Sequence, residues 1–227
     1  VVREFSLGKQ PDGVCFNGNK ISMIVIVDYG LGNLASIGNM IRKAGGKCLI
    51  SGDPDRIAGA EKILLPGVGH FAAGMEHIHS KGLEAVLNDK ALKQQVPVLG
   101  ICLGMQLMAR HSSEGDVRGL GWFDADVRHF RTEQMQSLKV PHMGWSDIHL
   151  AGTHALFPAV EEQQRFYFVH SYHMVCDREE DILASAEYGY RFTCAVSRDN
   201  TIGLQFHPEK SHRFGLEVMK RFVQWNP

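Results

Sequence analysis

A cysteine held between two glycines, where an apolar strand pattern gives way to a helical one, has the makings of a nucleophile. Residues 96–101 form a short apolar run with β-branched members, which predicts a buried strand. Residues 103–110 are mostly good helix formers. Gly100 and Gly104 stand two residues to either side of Cys102. Residues without a Cβ permit the crowded reversal that joins such a strand to such a helix. The thiol then projects from the carboxyl end of the strand, at the positive end of a helix dipole, where the reactive thiolate is favoured. Taken alone, a buried strand-end cysteine is more often an inert core residue. A base and oxyanion donors must come from elsewhere in the chain.

His207-Pro208-Glu209 supplies a candidate base. On an extended segment side-chain direction repeats every two residues, so the carboxylate can hold the imidazole in its proton-accepting tautomer. Pro208 removes a backbone donor and stiffens the pair. The plain alternative is a solvated His and Glu on a loop, and 12 histidines make a chance pairing easy. Pro66-Gly67-Val68-Gly69 follows an apolar run at 63–65. Two glycines around one valine can bring backbone N–H groups close to a ligand and let a peptide plane reorient; the alternative is an ordinary glycine turn.

These clusters require elements that carry them to one place. Residues 24–27, 48–50 and 63–65 read as strands, and a helical pattern with Leu34, Ile37 and Ile41 on one face is stopped by Gly45-Gly46. Helical stretches at 72–79 and 83–93 lead into the Cys102 strand. Beyond it, 111–115 reads as a helix end and loop, and 140–145 as either a buried turn or an exposed interaction surface. Residues 166–172, 182–184 and 192–196 read as strands; Asp199-Asn200 turns a hairpin into 202–206, and a helix closes the chain through Phe214, Val218 and Phe222. Strands alternating with helices predict an α/β fold with a mainly parallel central sheet, whose sites lie beyond the strands' carboxyl ends. The loop Asp28-Tyr29-Gly30-Leu31-Gly32-Asn33 lacks both the G-x-G-x-x-G spacing and a Walker lysine, and is read as a tight connection near a pocket or partner. Residues 1–22 carry no periodicity and are read as an N-terminal extension, with the core domain at 23–227.

Composition narrows the function classes. A formal net charge of −1 with no run of like charge gives no basic stripe for nucleic acid. Cys15, Cys48, Cys102, Cys176 and Cys194 are scattered, with no C-x-x-C pair, against a disulfide framework or a cysteine metal site and in keeping with a reducing compartment. No apolar run approaches the ~20 residues that span a bilayer, and no signal-peptide pattern is seen. The expectation is a cytoplasmic protein with no membrane or nucleic-acid partner.

Pro66-Gly67-Val68-Gly69, Gly100-Ile101-Cys102-Leu103-Gly104-Met105-Gln106 and Gln205-Phe206-His207-Pro208-Glu209 together resemble the class I, triad-type glutamine amidotransferases. Pro141-His142-Met143-Gly144-Trp145, Tyr167-Phe168-Val169-His170-Ser171-Tyr172 and His207-Pro208-Glu209-Lys210-Ser211 are most similar to the glutaminase subunits of imidazole glycerol phosphate synthase within that class. The resemblance runs from Met23 to the C-terminus. It implies a flavodoxin-like sheet with an added antiparallel portion, and L-glutamine hydrolysis to glutamate and ammonia by a Cys102–His207–Glu209 triad. It further implies oxyanion donors from Val68, Gly69 and Leu103, and a glutamine pocket of Gly67, Gly69, Gln106, His170, Ser171 and Tyr172. The implied partner is a (β/α)8-barrel cyclase that receives the ammonia for histidine biosynthesis in a heterodimer, meeting this chain near Met143, Trp145, Tyr167 and Lys210. No metal or organic cofactor is implied. Where the family usually reads Gly-Trp-Asn this chain has Gly144-Trp145-Ser146, which keeps open a related glutaminase serving a sugar amidotransferase. A stand-alone thiol hydrolase of the same fold is a further alternative.

Overall fold

A computed structural model of the chain describes residues 22–131, 133, 138–157 and 163–227. The extension read at 1–22 lies, Ser22 aside, outside them. Five parallel strands run β2 (Lys47–Ser51), β1 (Met23–Val27), β3 (Lys62–Leu65), β4 (Val98–Ile101) and β13 (Thr201–Leu204) across the centre of the sheet. With β13 in fifth place, this is the 2-1-3-4-5 order of flavodoxin-like folds. Alternate side chains sort to opposite faces. Ile24 and Ile26 of β1 join a core with Ile37 and Ile41 of α1 (Leu34–Lys43) and Val218 and Phe222 of α6 (His212–Gln224). Val25 and Val27 join Ile78 of α3 (Phe71–Ser80) and Leu83 and Leu87 of α4 (Leu83–Asn88) on the other face. Both faces are covered, so these strands read as continuous apolar runs rather than alternating ones.

The added portion, antiparallel except where β5 pairs with β7 in parallel, extends the sheet from β13 through β12 (Tyr190–Arg198), β10 (Tyr172–Cys176), β7 (Phe123–His129), β5 (Ala109–Ser112) and β6 (Val117–Arg118). β11 (Ile182–Tyr188) pairs with β12 and with β8 (His142–Leu150), which in turn carries β9 (Arg165–His170). The expected Asp199-Asn200 hairpin joins β12 to β13, with Asp199 at φ 50°. Among the described residues no helix is long and apolar enough to cross a membrane.

Three local expectations are corrected. The helix after Cys102 spans Leu103–Leu107 as α5, and 109–112 is strand rather than helix end, because Ala109 and Ser112 pair with Phe123 and Val127 of β7. Of the two readings of 140–145 the buried turn falls: residues 142–145 begin β8, and Met143 and Trp145 are exposed opposite Val169 and Tyr167. The run 166–172 is two strands broken at Ser171: β9 pairs with β8, whereas β10 pairs with β7 and β12. Long-range pairing decides all three, and local pattern carries no trace of it.

Candidate active site

The loops after β1, β3 and β4 meet beyond the carboxyl ends of the parallel strands, beside the point where strand order reverses. Cys102 occupies the turn at φ 52°, ψ −110°, a left-handed backbone that costs an L-residue strain and marks a constrained turn. Its N–H donates to the Leu204 carbonyl at 2.7 Å, continuing the β4–β13 ladder to the very tip. Close packing explains the flanking glycines. A Cβ on Gly100 would meet Gly104 O at 2.8 Å, and one on Gly104 would meet Leu65 O at 1.9 Å. The elbow thus presses α5 onto the end of β3.

Because β13 lies beside β4, the segment that follows it delivers His207 to Cys102. The His207 ring is buried, and its Nδ1 lies 2.8 Å from Glu209 Oε1, whose side chain is 5% exposed. A carboxylate there makes Nδ1 the donor and leaves Nε2 free to take a proton. Nε2 is buried with no hydrogen-bond partner of regular geometry. Burial opposes a charge on His207, but interaction with Cys102 and with Glu209 outweighs it and raises the imidazole pKa to about 9. Ser211 staples the segment in place, donating to His207 O at 2.6 Å while accepting from the Tyr167 N–H at 3.0 Å.

A pocket of about 240 Å³ opens beside the thiol, lined by Val68, Gly69, Cys102, Leu103, Gln106, Glu114 and residues 169–172. Of the residues implied for a glutamine pocket, Gly69, Gln106, His170, Ser171 and Tyr172 therefore line one cavity. Gly67 does not. It is buried beneath the loop, where a Cβ would fall 2.1 Å from Tyr29 Oη and 2.9 Å from Leu103 Cβ. The Tyr29 hydroxyl itself donates to Pro66 O at 2.7 Å, so the loop after β1 braces the loop after β3. Burial, and the nearby Cys102, hold that phenol protonated.

The oxyanion donors are arranged differently from expectation. The Leu103 N–H donates to Gly67 O at 3.3 Å and so does not face the pocket unengaged. Val68 is exposed and Gly69 sits at φ +115°, a conformation suited to glycine.

His170 ends a buried relay. Its Nδ1 donates to Tyr172 O at 2.8 Å, so its Nε2 accepts from His142 Nδ1 at 3.1 Å, and His142 Nε2 accepts from Ser146 Oγ at 2.9 Å. Burial lowers the His142 pKa to about 4 and places that of His170 well below its usual value. The relay is neutral near pH 7. Ser146 serves this interior network.

Met143, Trp145, Tyr167 and Lys210 share one face immediately behind His207. Met143 is 61% and Trp145 39% exposed. Trp145 packs edge-on to Tyr167 at 6.1 Å, and Lys210 Nζ sits 5.6 Å above the Tyr167 ring. His212 stacks on Trp145 with ring planes 4° apart.

Sequence reasoning misses Glu114 because it reads 111–115 as a helix end and loop with no chemical role. Glu114 Oε2 accepts the Phe71 N–H at 2.7 Å, which holds a carboxylate at the pocket wall. It also gives no role to Tyr29, whose loop it reads only as a tight connection near a pocket or partner. Among the described residues, no cluster of three or more His, Cys, Asp or Glu could hold a metal.

Residues 25–225 match the glutamine amidotransferase class-I family model. The chain is 48% identical over 202 residues to "Imidazole glycerol phosphate synthase subunit HisH 2" of Pseudomonas aeruginosa, covering 89% of this chain and 99% of that one. It is 46% identical over 202 residues to the protein of the same name from Methanococcus maripaludis, with the same coverage of each chain. Among solved structures, PurLQS from Thermotoga maritima superposes with a TM-score of 0.65 at 18% identity, over 89% of this chain and 96% of that one, a likeness of fold alone.

Proposed function

The chain belongs to the class-I glutamine amidotransferase family, and from that premise we propose that it is the glutaminase subunit of an imidazole glycerol phosphate synthase, acting in histidine biosynthesis. One observation carries the chemistry: a buried imidazole, oriented by Glu209 at 2.8 Å, turns its proton-accepting nitrogen toward a thiol held on a strained elbow at a pocket.

Cys102 Sγ attacks the side-chain carbonyl carbon of L-glutamine after its proton passes to His207 Nε2. The tetrahedral intermediate collapses as His207 returns that proton to the departing nitrogen, which leaves as ammonia, and a γ-glutamyl thioester remains. Water then adds with His207 as base; the C–S bond breaks and glutamate departs. Such acid–base assistance contributes roughly 10²–10⁴ in rate. Glu114 suits the substrate's α-ammonium, and Gln106, with both its N–H groups engaged, offers Oε1 as an acceptor. A developing oxyanion needs the Leu103 N–H together with an N–H from Val68 or Gly69, each such donor supplying about 3–4 kcal/mol. The Gly67 carbonyl must first release Leu103, so turnover waits on reorientation of the Val68 segment. The exposed face of Met143, Trp145, Tyr167 and Lys210 suits a partner subunit, a (β/α)8-barrel cyclase in a heterodimer in the cytoplasm. A docked partner that turned the Val68 segment would couple ammonia release to its use.

Glutaminase turnover of the purified chain, alone and with the candidate cyclase and its nucleotide substrate, tests this reading beside Cys102→Ala. Strong activity only in the complex, lost in the variant, is the expected result. High activity without a partner would replace it with a stand-alone hydrolase, and indifference to the cyclase with a glutaminase serving another synthase.

A further inference from the structure

Two buried amides connect the pocket wall to the nucleophile, and the triad leaves both without a task. Gln106 is 4% exposed and Gln205 fully buried. Gln106 Nε2 lies 2.9 Å from Tyr172 O and 2.9 Å from Gln205 Oε1. A backbone carbonyl can only accept, so the end of Gln106 facing it is the NH2 group, whose two hydrogens then serve these two acceptors. The orientation of Gln205 follows from that network: its oxygen faces Gln106, and its Nε2 faces Cys102 Sγ at 3.8 Å. Neither end is loose. The Tyr172 carbonyl is held a second time by His170 Nδ1 at 2.8 Å, and the Gln205 N–H donates to Cys194 O at 2.9 Å.

From this geometry we propose that Gln205 acts at the nucleophile, donating an N–H to the Cys102 sulfur and stabilising its thiolate. This deepens the glutaminase reading and rests on it for the reaction served. The sulfur's proton goes to His207 Nε2, and Gln205 keeps both of its own. The contact is strongest whenever sulfur carries charge: before attack on the amide carbon, and again when the thioester C–S bond breaks and its electron pair returns to sulfur. The titratable groups facing Cys102 are His207, from the segment after β13, and Tyr29, from the loop after β1. Glu114 and Tyr172 line the same pocket.

Alkylation of Cys102 by iodoacetamide, followed by mass on the Cys102 peptide of the full chain from pH 6 to 10, tests the proposal. Gln205→Leu is expected to slow alkylation at pH 7 about tenfold, the scale of one hydrogen bond to a charged group, and to approach the wild-type rate at pH 10. Gln205→Glu, of the same shape and still able to accept from Gln106, is expected to slow it further by repelling the thiolate. It also carries the test if the leucine variant melts early. Wild-type rates across the pH range in a folded variant would overturn the proposal. Alkylation needs neither glutamine nor a partner, so that outcome leaves the glutaminase reading standing. Conversely, a wild-type chain that never hydrolyses glutamine would sink that reading without touching the Gln205 contact.

Discussion

The Tyr29 hydroxyl donates to the Pro66 carbonyl at 2.7 Å, fully buried, and so ties the loop after β1 to the loop after β3, which we propose presents oxyanion donors. The same oxygen occupies the space a side chain at position 67 would need. Gly67→Ala is therefore expected to lower stability by several kcal/mol, through clash with rigid neighbours. Tyr29→Phe alone should cost about 1–3 kcal/mol by leaving Pro66 O unpaired. Because Tyr29→Phe removes the atom lying 2.1 Å from the added methyl, the double variant should lose less than the two single losses added together. Urea unfolding of all four proteins measures this; strict additivity would show that the two residues do not share that space.

Glu209→Gln keeps the shape of the carboxylate but not its charge. Nδ1 of His207 then loses its anionic acceptor, and glutaminase kcat is expected to fall about 10²–10⁴-fold with a smaller change in KM. Steady-state kinetics in the complex measure it. An unchanged kcat would remove Glu209 from the triad.

Three buried histidines make the fold acid-sensitive. Burial lowers His142 and His173 to about 4 and His170 well below its usual value, while the unfolded chain takes up these protons near pH 6.5. Their neutral forms support the fold fully above that pH, and the support is lost as pH falls from about 6.5 towards 4. The shifts of His142 and His173 each correspond to about 3 kcal/mol. Unfolding free energies should drop steeply over that window, and less steeply in His173→Phe.

His207 acts with the opposite sign. Its pKa rises to about 9 in the folded chain, so its contribution is complete below about pH 6.5 and is lost as pH rises through 9. Cys102→Ala removes one of the two interactions that raise it. Denaturant titrations at pH 6.5 and 9.5 should show a smaller alkaline loss in the variant than in the wild type.

Trp145→Ala removes a large exposed ring that stacks on His212 and meets Tyr167 edge-on. The expected result is weaker association with the cyclase, by tenfold or more in Kd, with basal glutaminase activity retained. Titration calorimetry against the cyclase checks it.

Much of this protein is legible in its residues. Gly100, Cys102 and Gly104 announce an elbow because the turn has no room for a Cβ, and His207 with Glu209 announces an oriented base because their spacing matches an extended backbone. Apolar runs at 24–27, 63–65 and 98–101 declare buried strands, since a sheet covered on both faces needs nothing else. What the tertiary structure decided is which distant groups meet. Parallel pairing of β4 with β13 brings residue 102 beside 205 and 207, and no local pattern encodes a contact across a hundred positions. The sheet change at Ser171, the engagement of the Leu103 N–H by Gly67, the bracing of Pro66 by Tyr29 and the arrival of Glu114 at the pocket depend on that same long-range packing. Local sequence sets what a residue can do. The sheet sets what it does it to.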